Sequence, residues 1–326
     1  MYAEADVSLE KRSTAGWWNQ NFSDGGLNSY WAALALSTDE RGTWLATYQI
    51  YANPTQFIVS HNNGVNWSAR APFIAGTSPN VAADHSGNWI VPTNFTTGTL
   101  FWRSTNSANS WSKQGVLPYP AGTDPNTIQS SFATDASGTW LLILAVPAAS
   151  WDSTTTLYMS RSTNTGTSWS PYVQLPGAKP YGTIHPQLVR GATAGRFLLF
   201  MTASATSSDT KNAGLMTTND GGITWSALQP IAPATSNVIA ASDGSGKWMC
   251  AFDGATAVSS DDGRTWNANA QFPGLTVDCL GTDYSGVWYL SLTNGGSDNI
   301  IPHYKSGLWE TSFAVHTSAE NWELYN

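Results

Sequence analysis

Short apolar runs rich in Val, Ile, Leu, Phe and Trp alternate along this chain with clusters of Asp, Asn, Ser, Thr and Gly. The order is plain around residues 237–266. Asn237-Val-Ile-Ala-Ala-Ser242 leads into a polar turn, Lys247-Trp-Met-Cys-Ala-Phe252 follows, and Ala255-Thr-Ala-Val-Ser259 leads into a second turn that ends at Trp266. Apolar runs this short, bounded by Gly and Asx residues, predict strands joined by tight turns.

Two turn motifs recur. One reads Ser/Thr-x-Asp/Asn-x-Gly-x-x-Trp. It appears as Ser60-His-Asn62-Asn-Gly64-Val-Asn-Trp67, Ser162-Thr-Asn164-Thr-Gly166-Thr-Ser-Trp169, Thr218-Asn-Asp220-Gly-Gly222-Ile-Thr-Trp225 and Ser259-Ser-Asp261-Asp-Gly263-Arg-Thr-Trp266. In Ser104-Thr-Asn106-Ser-Ala108-Asn-Ser-Trp111 the glycine is lost, and a last copy keeps little beyond Trp322. The other motif, Asp-x-Ser-Gly-x-Trp, precedes each of these. Its copies begin at Asp84, Asp135, Asp243 and Asp283, with variants at Asp39-Glu-Arg-Gly42-Thr-Trp44 and Ala192-Thr-Ala-Gly195-Arg-Phe197. The Asx side chain accepts hydrogen bonds from the backbone that follows it, and Gly supplies positive φ. Each motif is therefore a hairpin turn, and each Trp is expected to open the next strand and bury its ring between sheets. Strict alternation gives six pairs and one four-stranded antiparallel unit per pair. The expected fold is all-β, a six-bladed β-propeller over residues 30–326. Residues 1–29 form an N-terminal extension whose Gly16–Phe22 segment adds a strand or covers an edge.

The Ser-x-Asp-x-Gly-x-x-Trp turns resemble the Asp-box, or bacterial neuraminidase repeat, of sialidase-like propellers. The resemblance spans about residues 30–326 and implies that fold. Its implication for activity is weaker, because the box lies away from the catalytic face and fold does not fix function. The family's sialidases use an arginine triad, a tyrosine nucleophile with a glutamate partner, and an aspartate acid/base. The family's Arg-Ile-Pro motif is absent here, and no glutamate occurs between Glu40 and Glu310. Arg41, Arg196 and Arg264 fall in turns, Arg70, Arg103 and Arg161 in outer strands, and Arg190 near the far end of an inner strand. The sialidase catalytic residues are thus not kept.

Composition narrows the partners. Lys and Arg total 14 against 22 Asp and Glu, a formal net charge of -8. That excludes the basic surface a nucleic-acid binder needs. No apolar stretch is long enough to cross a membrane as a helix, and the first residues lack an apolar signal core. The Ser-, Thr- and Asn-rich surface nevertheless suits an extracellular or exposed protein. Cys250 and Cys279 sit in apolar runs and read as buried free thiols rather than a disulfide framework. No metal-spaced His/Cys cluster is present, so neither a metal nor a cofactor is expected.

Function in a propeller is expected on the face opposite both turns, where the loops are long. A flat ring beside a carboxylate suits a sugar, which points to Trp151 with Asp152 and Tyr119 with Asp124. Tyr181 and His185 lie before the fourth inner strand and are further ligand candidates. A hydrolase would need two carboxyl groups about 5 to 9.5 Å apart. Asp278, directly before an inner strand, is the best placed, with Asp124 and Asp152 as partners. The reading is a non-catalytic propeller that binds a glycan or cell-surface component. A glycosidase, or a structural or virion-type component that contacts protein, stands as the alternative.

Overall fold

The computed structural model describes residues 7–13, 16–22, 32–50, 55–69, 71–73, 80–148, 154–176, 185–203, 211–234, 238–253, 255–270, 272, 275–282, 287–293, 298–305 and 308–316. The chain divides into two compact units, Met1–Tyr119 and Pro120–Asn326. Among the described residues every regular element is a strand.

In the first unit, β1 (Val7–Ser13) and β2 (Gly16–Phe22) form an antiparallel hairpin of their own. The Gly16–Phe22 segment therefore makes a strand, paired with β1. Next come β3 (Ala32–Thr38), β4 (Trp44–Ile50), β5 (Gln56–Ser60) and β6 (Ala71–Pro72), then β7 (Ala82–Ala83), β8 (Trp89–Phe95), β9 (Gly98–Ser104) and β10 (Ser112–Pro118). Each set of four is one antiparallel sheet in sequence order.

Among the described residues the second unit holds four such sheets. They are β11 (Gln129–Thr134), β12 (Trp140–Val146), β13 (Thr156–Ser162) and β14 (Val173–Gln174); β15 (Gln187–Arg190), β16 (Phe197–Ala203), β17 (Asn212–Thr218) and β18 (Gln229–Pro233); β19 (Ile239–Ser242), β20 (Trp248–Phe252), β21 (Ala255–Ser259) and β22 (Asn267–Ala270); and β23 (Thr276–Thr282), β24 (Val287–Thr293), β25 (Asp298–Lys305) and β26 (Leu308–His316). First strands line up: β11 lies beside β15, β15 beside β19, and β19 beside β23. The Gln187 amide on β15 donates to the Ala240 carbonyl on β19 at 3.0 Å, and Leu188 N–H donates to Ser131 Oγ on β11 at 2.8 Å. Among the described side chains the last strands β10, β14 and β18 are mostly exposed, and both residues of β14 are exposed.

Second strands are apolar on both faces because each is sandwiched between sheets. On β16, Phe197, Leu199 and Met201 pack towards Leu141 and Ile143 of the preceding sheet, while Leu198 and Phe200 pack towards Trp248 and Cys250 of the next. On β20 the alternation repeats, with Met249 and Ala251 facing Leu280, Trp288 and Leu290. In the first unit Leu45 and Phe73 meet Trp89, Val91, Leu100 and Trp102. Each fully buried Leu or Phe contributes roughly 1.5–3 kcal/mol, so these interlayer seams dominate stability. Cys250 is free and lies in such a seam, where burial pushes its thiol pKa up. The side chain of Cys279 is outside the described residues.

The turns form as the motifs require. In the first turn, Asp84 Oδ1 accepts from Ser86 N and Asn88 N, and Asp135 and Asp243 repeat the arrangement. In the second, the Ser/Thr hydroxyl accepts from the N–H four residues on, as in Ser60 with Gly64 at 2.8 Å and Thr218 with Gly222 at 3.0 Å. The two turns of a sheet are also bonded to each other. Asn63, Ser107, Gly221 and Asp262 donate their N–H to the carbonyls of Gly42, Gly87, Gly195 and Gly246. One expectation is corrected. The first-turn tryptophans Trp44, Trp89, Trp140 and Trp248 do open second strands, but Trp67, Trp169, Trp225 and Trp266 lie between turn and strand, half-buried. Trp266 caps a seam edge-on, meeting Phe200 of the preceding sheet at 5.7 Å and 89°.

Candidate functional site

The second unit carries a crevice of about 480 Å³ between the sheet β11–β14 and the turn that follows β17. Its floor comes from the end of β13. Met159 is paired in register with Val173 of the edge strand β14. The chain returns from its turn at Ser170, whose N–H donates to Arg161 O at 2.9 Å and whose Oγ accepts from Arg161 N at 3.0 Å. Trp169, Ser168 and Thr163 complete this side. Phe132 backs the Trp169 ring, with centroids 5.9 Å apart.

The facing wall is Gly222 and Ile223. The turn approaches closely because it has no side chain there. A Cβ on Gly222 would meet Met159 Sδ at 2.9 Å and Leu141 Cδ2 at 3.0 Å, and its φ is +88. Ile223 is 70% exposed and Val173 51%, an apolar rim on a mostly polar surface. Across the gap Arg161 Nε donates to Gly221 O at 2.6 Å. That bond orients the guanidinium, and Arg161 is one of the residues that line the crevice. Ser168 Oγ accepts from Asn164 Nδ2 at 2.9 Å and keeps its hydrogen to donate. Among the described residues no carboxylate lines the crevice. Asp220, two residues before Gly222, is turned into its own turn, where it accepts from Thr224 N and Thr224 Oγ1 and from Thr218 Oγ1.

Among the described residues, none of those expected to bind ligand on the loop face lines the crevice. Trp151, Asp152 and Tyr181 lie outside the described residues. Tyr119, in the first unit, is half-buried, and burial raises its pKa to about 12 against the lowering influence of Thr99 and the Phe95 backbone. Asp124 is exposed and caps its own turn, accepting from Asn126 N at 2.9 Å and from Asn126 Nδ2 at 3.1 Å. His185 is exposed two residues before β15, where partial desolvation lowers its pKa. Asp124 and His185 share no hydrogen bond or ion pair. Asp278 lies within β23 rather than before it, at a register shift between Val277 and Cys279 that leaves it the extra, bulged residue. Arg190 ends β15 opposite Phe197, as its position in the sequence suggested. Among the described residues no group of three or more His, Cys, Asp or Glu could hold a metal ion.

Sequence reasoning missed the crevice. A signal was present: the residue before each box Ser or Thr is Val59, Arg103, Arg161, Thr217 or Val258. A position that accepts Val and Thr does not need arginine for the fold.

No protein-family model matches the chain, and none of the curated proteins matches it. Solved structures do. A YCF48 bound to a D1 peptide superposes with a TM-score of 0.56 at 13% identity, covering 93% of this chain and 87% of that one. A Hadza microbial sialidase gives 0.54 at 16% identity over 81% of this chain and 63% of the other. The SapL1 lectin in complex with alpha methyl fucoside gives 0.53 at 14% identity over 89% and 97%. At these identities the likeness shows the fold: an all-β propeller of four-stranded antiparallel blades. No helix among the described residues is long and apolar enough to cross a membrane.

Proposed function

We propose that the protein is a non-catalytic carbohydrate-recognition propeller of six Asp-box blades, without the sialidase catalytic residues, that acts at an extracellular or otherwise exposed surface. The observation that carries the reading is the crevice between neighbouring blades. It joins the Trp169 ring to the hydroxyls of Thr163, Ser168 and Ser170 and to an oriented guanidinium, in a volume of about 480 Å³. A sugar offers the matching chemistry, with an apolar C–H face for the ring and a rim of hydroxyls for the polar groups. The likeness to a lectin held with a fucoside and to a sialidase is compatible with it.

A glycan array read with the folded protein tests this. Wild type should bind a subset of glycans. Val173→Trp, at an exposed edge position, should fill the crevice and weaken binding at least tenfold without moving the melting temperature. Absence of any glycan binding, or binding untouched by Val173→Trp, removes the reading.

A further inference from the structure

We infer that the crevice selects acidic sugars, with the ligand carboxylate on the terminal N–H groups of Arg161. The inference rests on the carbohydrate reading of the same site and adds its charge specificity. In this chain acidic residues outnumber basic ones 22 to 14, yet among the described residues the one charged side chain lining the crevice is an arginine. The nearest carboxylate along the facing turn, Asp220, is withdrawn into its own turn by Thr218 and Thr224. Among the described residues Arg161 is therefore a cation with no carboxylate beside it at the crevice. Its Nε bond to Gly221 O holds the fork in one orientation before ligand arrives, which reduces the ordering cost of binding. A planar fork presenting parallel N–H groups matches a carboxylate and gains little from a lone hydroxyl.

The close approach of the turn serves the same end. A Cβ on Gly221, whose φ is +68, would come within 3.1 Å of Arg161 Nη2. Glycine at that position lets the guanidinium stand upright between the two blades. Met159, Val173 and Ile223 supply apolar surface next to the cation, which suits a ring bearing one carboxylate better than a fully hydroxylated one.

Titration calorimetry with methyl β-glucuronide and methyl β-glucoside tests the inference. Wild type should bind the glucuronide at least tenfold tighter, and the gap should narrow as sodium chloride rises from about 50 to about 500 mM, as expected of an exposed charge pair. Arg161→Gln should erase the gap by weakening the glucuronide at least tenfold more than the glucoside. Arg161→Lys, which keeps the charge without the fork, should recover only part of it; a melting curve confirms the fold in each. Equal affinities in wild type overturn the acidic preference and leave carbohydrate recognition standing. If neither sugar binds but an N-acetylated peptide ending in valine with a free carboxylate does, the crevice is a peptide site, and both readings fall.

Discussion

Arg196 and Asp262 meet across two blades of the second unit, with Nε 2.6 Å from Oδ2 and the two side chains only 4% and 11% exposed. Nε lies off the hydrogen-bonding direction, so this contact is a close ion pair. The guanidinium also donates to the Asp262 carbonyl and to Asn219 Oδ1. The carboxylate further accepts from Trp248 Nε1 at 2.9 Å and from Ala192 N at 3.3 Å. Ala192 occupies the place where other first turns carry their aspartate, and a carboxylate from the neighbouring blade accepts from its N–H instead.

Removing one partner should leave a buried charge behind. Arg196→Ala is expected to cost about 3–5 kcal/mol in chemical denaturation. Arg196→Lys should not restore the loss, because one ammonium cannot serve Asn219 and Asp262 together. A cost below about 1 kcal/mol for Arg196→Ala would show that the pair does not hold the blades.

The second-turn glycine is a packing residue as well as a turn residue. Gly222→Ala meets Met159 and Leu141 at positive φ and should cost about 2–4 kcal/mol. Ala108 already occupies the equivalent place at φ 62, and Ala108→Gly exchanges backbone relief for a lost buried methyl. Its effect should stay within about 1 kcal/mol. Equal effects of the two substitutions in a urea melt would refute the interblade role.

Acid should loosen the turns in a defined window. Burial raises the pKa of Asp135, but hydrogen bonds from Ser137, Thr139 and Gly195 outweigh it and hold the carboxyl below its ordinary value. Asp220 behaves alike: burial opposes the hydrogen bonds from Thr224 and Thr218, which bring it down to about 2. For a depressed carboxyl, stability is present above the unfolded pKa and lost as pH falls through the folded one. Melting temperature should therefore be insensitive to these groups from neutrality to about pH 4 and fall between about pH 4 and about 2. In Asp220→Asn the fall should be smaller, because the amide does not titrate.

Much of this was legible in residue order. Asp84, Asp135 and Asp243 announce one turn, and Ser60 to Trp67 or Ser259 to Trp266 the other, because both turns close on hydrogen bonds within a few residues. The runs Leu141–Ala145 and Phe197–Met201 announce strands for the same local reason. What sequence left undecided is what depends on neighbours far along the chain. Arg161 reads as one more outer-strand arginine until Gly221, 60 residues away, is brought against it. Arg196 reads as a turn residue until Asp262 arrives from the next blade. The local code specifies each blade through short-range hydrogen bonds. The crevice and the interblade ion pair arise only where two blades pack, and that packing is set by shape and burial across the seam, which no single repeat contains.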